Sequence, residues 1–209
     1  MTLAPLKALI LNCSLKKSDE PSNTDALLNE FVKIFVGEQV EAELIRVVDY
    51  NIAYGIAEDM GDGDEWPQLF EKIKEADILL MGTPVWLGEK SSVSKKVLER
   101  FNGSSTVKNE KGQPVFYNKV AGAVVTGNED GAKNAAGDLI FGLSQIGYAI
   151  PPNPIAYWVG EAGPGPSFIE AEGYKNEFTQ SNVQMAGHNL VHLARIFQQQ
   201  PIPLKGNAS

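Results

Sequence analysis

Hydroxyl and amide side chains crowd one short stretch near the N-terminus: Ser14, Ser18, Ser22, Asn23 and Thr24, with Lys16 and Lys17 among them. The segment that follows carries Leu27, Leu28, Phe31, Ile34 and Phe35 at three-to-four spacing, so these groups stand where a helix begins. Short polar side chains there, beside free backbone N–H groups and the positive end of the helix dipole, can bind a phosphate. A plain helix cap at Ser22, Asn23 or Thr24 is the other use of the same residues. A second stretch, Gly82 to Ser92 (GTPVWLGEKSS), sets Trp86 between Pro84, which fixes its own φ, and Gly88, which permits close backbone approach. An aromatic held there is a wall for a flat ring, or ordinary cover for the core. A third stretch, Thr126 to Asn134 (TGNEDGAKN), places Gly127 and Gly131 around Asn128 and Asp130. Its backbone N–H groups can meet the polar edge of a ring, or Asn128 or Asp130 can simply cap a helix.

Each stretch follows a segment that reads as a buried strand. Lys7 to Cys13, Asp77 to Val85 and Lys119 to Gly127 are nearly all apolar, as strands covered on both faces are. Val40 to Val48 alternates apolar with acidic residues and predicts an edge strand with one wet side. A fifth, short strand is broken by Pro151, Pro152 and Pro154, which suits only an edge. Helices are expected near Trp66 to Glu75, around Val93, Val97 and Phe101, from Gly131 to Ile146, and from Phe178 to Gln199. Glu58 to Glu65 reads as a solvated acidic loop, and Asn102 to Asn118 as an exposed connection or small hairpin. Five alternations of strand and helix, with no repeat and no long linker, predict one α/β domain over residues 1–209. Its doubly wound, five-stranded parallel sheet has helices on both faces and the flavodoxin-like order 2-1-3-4-5.

In such a sheet ligands bind beyond the carboxyl ends of the strands, at the switch point. The three stretches then combine as a phosphate site, an aromatic wall and a hydrogen-bonding edge, which is the anatomy of an FMN site. The SNT and TPVWLG segments, with KKVLER behind them and TGNEDG after, resemble the flavodoxin-like NAD(P)H-dependent FMN reductases and quinone reductases over Lys7 to Trp158. The resemblance implies that Ser14, Ser22, Asn23 and Thr24 hold the FMN phosphate, to which Lys16 and Lys17 of the same loop can add charge. It implies that Pro84, Val85, Trp86, Leu87 and Gly88 pack along the isoalloxazine and that Thr126, Gly127, Asn128 and Asp130 reach its polar edge. It further implies a hydride taken from NADH or NADPH and passed to a small acceptor such as a quinone, a flavin or a nitroaromatic, in a homodimer or homotetramer. Tyr157, Trp158 and the stretch Gly160 to Gly165 are expected at the open face of the flavin as substrate contacts, the other use of the two aromatics being packing of the edge strand. The first loop is longer than a tight phosphate loop by Lys17 to Pro21, and the tail after Trp158 is longer than compact family members need. A one-electron flavodoxin carrier and a flavin-free phosphate-binding module are the alternatives that share this fold.

Charge and cysteine usage exclude other classes. Lys and Arg total 18 against 26 Asp and Glu, a formal charge of −8, so a nucleic acid meets net repulsion. Cys13 is the single cysteine, which forbids an internal disulfide and suits a cytoplasmic protein. The N-terminus lacks a signal-peptide pattern, and no run approaches a membrane span. A tyrosine-phosphatase reading of Cys13 needs an arginine where Asp19 stands. A receiver domain needs an aspartate where Thr83 and Pro84 end the third strand, and Gly142, Ser144 and Gly147 have the wrong spacing for a hydrolase elbow. His188 and His192 are four apart, but Asn189 stands where a zinc protease has glutamate and no third ligand is evident.

Overall fold

In the computed structural model, which describes residues 4–160, 163 and 165–208, the apolar runs become strands of one sheet. The elements run β1 (Lys7–Asn12), α1 (Asn23–Gly37), β2 (Glu41–Arg46), α2 (Trp66–Glu75), β3 (Ile78–Trp86), β4 (Glu89–Lys90), α3 (Ser92–Asn102), β5 (Val120–Thr126), α4 (Ala132–Gln145), β6 (Ile155–Trp158) and α5 (Glu177–Gln199). Five strands are parallel in the order β2-β1-β3-β5-β6. This is the expected flavodoxin-like order with one addition. The two-residue β4 folds back antiparallel on the end of β3, pairing Lys90 with Val85. The reversal takes only Leu87 and Gly88, whose φ angles of +53° and +77° follow the pattern of a tight hairpin turn.

Alternate side chains of the strands feed two cores, because successive strand residues point to opposite faces. Leu9, Leu11, Leu79, Met81, Ala123 and Val125 pack under α2, α3 and α4. Ile10, Ile78, Leu80, Val124 and Ala156 pack under α1 and α5, where Phe31, Phe35, Val183 and Leu190 complete the layer. Side-chain caps begin three of the helices: Ser22 accepts from the Asp25 N–H, Ser91 from Ser94 and Asn176 from Thr179. β2 is wet along its first half and β6 is the opposite edge, entered through the three prolines.

Two segments differ from the sequence-based expectation. The 102–118 connection takes the small-hairpin form, with an antiparallel bridge between Lys108 and Pro114, but it is not exposed throughout, since Phe116 is buried against Phe70, Phe101 and Tyr148. The acidic loop before α2 is not wholly solvated either. The Asp64 carboxylate is inaccessible to solvent and pairs with the buried Arg100 at 2.7 Å. Arg100 also donates to the carbonyls of Ala53, Ala57 and Glu58 and lies over the Trp66 ring, so one cation gathers the whole loop. A local charge run cannot show this, since the partner is on α3.

Candidate functional site

The carboxyl ends of β1, β3 and β5 surround a cavity of about 330 Å3, within the range of small-ligand sites. Ser14, Lys16, Ser22, Asn23 and Thr24 line it from the first loop, Pro84, Val85 and Trp86 from the second, and Thr126, Gly127 and Asn128 from the third. Three segments far apart in sequence thus meet at the switch point. Leu87, Gly88, Asp130, Tyr157 and Trp158 are not on its wall. Leu87 is the hairpin tip, 94% exposed, and Asp130 is also exposed. Tyr157 and Trp158 line a different cleft of about 710 Å3, against residues 171–176 and the start of α5. Trp158 is buried behind the cavity wall: its ring contacts Phe168 edge-on at 5.6 Å and its carbonyl accepts from the Gly127 N–H at 3.0 Å. Of Gly160 to Gly165, residues 161, 162 and 164 lie outside the described residues.

At the phosphate end the hydrogen bonds can be followed group by group. In α1, the Asp25 N–H reaches Ser22 Oγ and the Ala26 N–H reaches the Ser22 carbonyl. The N–H groups of Asn23 and Thr24, first and second in the helix, have no acceptor within it. Ser22 Oγ also donates to Ser14 Oγ, which leaves the Ser14 hydroxyl proton free to donate onward. Asn12, a fully buried residue absent from the sequence-based set, organises these groups. Its Oδ1 accepts from the Ser14 N–H at 2.8 Å, and its Nδ2 donates to Ser22 Oγ and to Asp25 Oδ1. Thr24 and Thr126 share a buried hydroxyl pair at 2.7 Å, which fixes the first loop to the third.

The aromatic wall is held by its hairpin. Glu129 accepts from the Leu87 N–H at 2.7 Å, Asn134 donates to the Gly88 carbonyl, and Lys90 pairs with Asp138 at 2.6 Å. These contacts offset the cost of about 1 kcal/mol or more for a branched residue in the left-handed region. Trp86, 47% exposed, therefore presents one face to the cavity from a fixed support. Gly131 permits the fit: its φ is +113°, and a Cβ there would lie 2.4 Å from Gly88 Cα. Gly131→Ala is expected to cost more than about 1 kcal/mol and to displace the hairpin, read as a lower Tm together with a changed Trp fluorescence spectrum. An unchanged spectrum and Tm would show that the contact is not needed.

Leu15, Ser167 and Phe168 complete the lining. The 165–169 strap is tied to both flanking loops: the Ile169 N–H donates to Asn23 Oδ1 at 2.9 Å, and Asn128 Nδ2 donates to the Gly165 carbonyl. Only the apolar character of Phe168 in a Gly/Pro-rich stretch hinted at a buried role, while its apolar neighbour Ile169 is exposed.

Cys13 sits under the site, fully buried, and burial pushes its thiol up to about 12. It is expected to resist a thiol reagent at pH 8 in the folded protein and to react only on unfolding; rapid native labelling would contradict this. His188 contacts Glu38 at 3.2 Å, and among the described residues no group of three His, Cys, Asp or Glu side chains is placed to hold a metal. All three arginines are engaged: Arg46 with Asp25, Arg100 with Asp64 and Arg195 with Glu38.

Strand order and site together place the molecule among the flavodoxin-like flavoproteins. Within that class, the family model of the NADPH-dependent FMN reductases matches residues 6–163, and the chain belongs to that family. It is 40% identical over 94% of its length to the 8-demethyl-8-aminoriboflavin-5'-phosphate synthase of Streptomyces davaonensis, covering 80% of that protein. It is 41% identical over 92% of its length to part of a protein named divalent metal cation transporter MntH from Mycobacterium bovis, spanning only 29% of that relative. No helix among the described residues is long and apolar enough to cross a membrane. The crystal structure of RosB with bound 8-demethyl-8-formylriboflavin-5'-phosphate superposes with a TM-score of 0.88 at 40% identity, over 94% of this chain and 82% of that one.

Proposed function

We propose that this protein is a cytoplasmic FMN-dependent oxidoreductase that takes a hydride from NADH or NADPH and delivers it to a small acceptor such as a quinone, a free flavin or a nitroaromatic. The observation that supports this best is the convergence of unsatisfied donors at the start of α1 and the Trp86 wall on one cavity, in a chain of this family. The donor set suits a phosphate monoester: two free N–H groups, the Ser14 hydroxyl, the Asn23 amide and the Lys16 ammonium. FMN, when bound, supplies the hydride-accepting and hydride-donating ring.

The protein's share is binding, orientation and electrostatics. The first loop anchors the phosphate, while Pro84, Val85 and Trp86 hold a flat ring. In the third loop the Gly127 N–H already donates to the Trp158 carbonyl, so the Asn128 N–H, whose residue also lines the cavity, is the one that would favour negative charge at the ring's polar edge. Lys16 is the one charged side chain among the described lining residues, which suits chemistry that asks no acid-base pair of the protein. The three arginines and Lys90 are already paired and are not offered to the 2′-phosphate of NADPH, whereas Lys95 is exposed and only loosely paired with Glu99. The exposed side of Trp86 is the approach for donor and acceptor in turn, and a homodimer or homotetramer is the expected assembly.

A second reading rests on the synthase relative: the flavin phosphate would be a substrate modified at its 8-position in the same cradle. One experiment separates the two. The purified protein is examined for flavin absorbance, mixed anaerobically with NADH and then NADPH, and the extracted flavin is weighed by mass spectrometry. Bleaching with an unaltered FMN mass supports the reductase. A flavin changed at the 8-position supports the second reading, and protein that takes up no flavin overturns both.

A further inference from the structure

Beneath the phosphate cradle lies a charged pair that no binding group accounts for. Arg46 ends β2, opposite Asn12 in the parallel register with β1. Its side chain is 6% exposed, and its guanidinium makes four donor contacts, three to the first loop and one to α1. Nη1 donates to the carbonyls of Lys16 and Lys17, and Nη2 to the carbonyl of Glu20 and to Asp25 Oδ2 at 2.6 Å. Lys17 to Pro21, the extra residues of this loop, are therefore wrapped around a buried cation. Asp25 is third in α1, one residue beyond the free Asn23 and Thr24 N–H groups. Its other carboxylate oxygen receives Asn12 Nδ2, and the same Asn12 holds the Ser14 N–H and Ser22 Oγ. The contacts thus run Arg46, Asp25, Asn12, then Ser14 and Ser22.

A carboxylate in the first turn suits a helix with no ligand, because it complements the dipole. It opposes a phosphate dianion at the same terminus, by Coulomb repulsion at short range. We infer that Arg46 is a positioning residue for the flavin phosphate: it cancels the Asp25 charge and fixes the loop carbonyls, so that only donors face the anion. The inference rests on the FMN reading above and adds to it a residue that does not touch the ligand. It also accounts for the acidic residue at a phosphate-binding helix start and for the length of the loop.

The test compares two ligands that differ only in the phosphate. Dissociation constants for FMN and riboflavin are measured by quenching of flavin fluorescence for wild type, Arg46→Met, Asp25→Asn and the double variant. In Arg46→Met the preference for FMN over riboflavin is expected to fall about 30-fold or more, with riboflavin binding within about threefold of wild type. Asp25→Asn should keep or increase the preference, and the double variant should recover most of the loss. A general structural defect would weaken both ligands alike, and that result overturns the inference. So does an unchanged preference in Arg46→Met, or a double variant no better than the single one. If Arg46→Met does not fold, Asp25→Asn decides: a lowered FMN preference there overturns the charge cancellation. A wild type that does not prefer FMN to riboflavin overturns the phosphate reading itself.

Discussion

Asn23→Asp is expected to remove FMN from the protein and leave the fold intact. The exchange is nearly isosteric, and the Oδ1 that accepts from the Ile169 N–H is kept. What changes is the amide nitrogen on the cavity wall, which becomes part of a carboxylate facing the phosphate. Two unit charges about 4 Å apart at an effective dielectric near 20 repel by about 4 kcal/mol. That corresponds to roughly a thousandfold weaker FMN binding, while riboflavin binding changes little. The same aspartate stands at the start of α1, where it favours the ligand-free helix by about 0.3–1 kcal/mol. Melting of the flavin-free protein should be unchanged or slightly raised, so loss of flavin cannot be ascribed to unfolding. Flavin content after purification, the two dissociation constants and one melting curve settle the matter. Full FMN occupancy in Asn23→Asp would mean that the phosphate lies elsewhere.

The largest stability effect belongs to Arg100→Met. Both partners of the Arg100 and Asp64 pair are inaccessible to solvent, and Met leaves Asp64 buried without its cation. Removing one member of such a pair costs about 3–5 kcal/mol. For a protein of this size that is a fall in Tm of roughly 10 °C. The loss should depend on pH. Burial pushes the Asp64 carboxyl up, but hydrogen bonds from the Met60 N–H, Arg100 and the Ala53 and Trp66 N–H groups together hold it below its usual 3.8. A carboxyl depressed by folding contributes its full stabilisation above its unfolded value and loses it as pH falls through the folded value. The difference between wild type and Arg100→Met is therefore expected to be constant near neutrality and to narrow below about pH 4. A difference of less than 1 kcal/mol at pH 7 in denaturant titrations would show that the pair is not what holds the 53–64 loop. None of the partners of Arg100 lines the flavin cavity, so flavin content per folded molecule should stay as in wild type.

How well the fold could be read from the chain varied with the range of the interactions. β1, β3 and β5 were legible because strands covered on both faces are apolar without interruption, and the edge strands because one face or a proline betrays them. The added β4 was not, since two residues after Trp86 carry no periodicity and depend on a turn in which Leu87 takes a conformation that leucine rarely adopts. Phe116 looked like part of a polar connection because three of its aromatic partners lie on α2, α3 and beyond α4.

The candidate site divides along the same line. By itself the sequence determined the order of the parallel strands and the three loops that meet at their ends. It also determined the residue types there: hydroxyls and amides at a helix start, Trp86 after Pro84, and Gly127 in the third loop. These follow from local periodicity and from the chemistry of neighbouring residues. Only the tertiary structure decided which side chains face the cavity and which stand behind it. It turned Tyr157 and Trp158 toward another cleft, closed the site with Phe168, and joined Asn23 to Ile169 across 146 residues. It also buried Arg46 and Arg100, residues whose charge reads as surface in any local window. Burial of a charge is decided by a distant counter-ion and by the carbonyls that share it, and such partners are set by packing between elements rather than by the pattern within one.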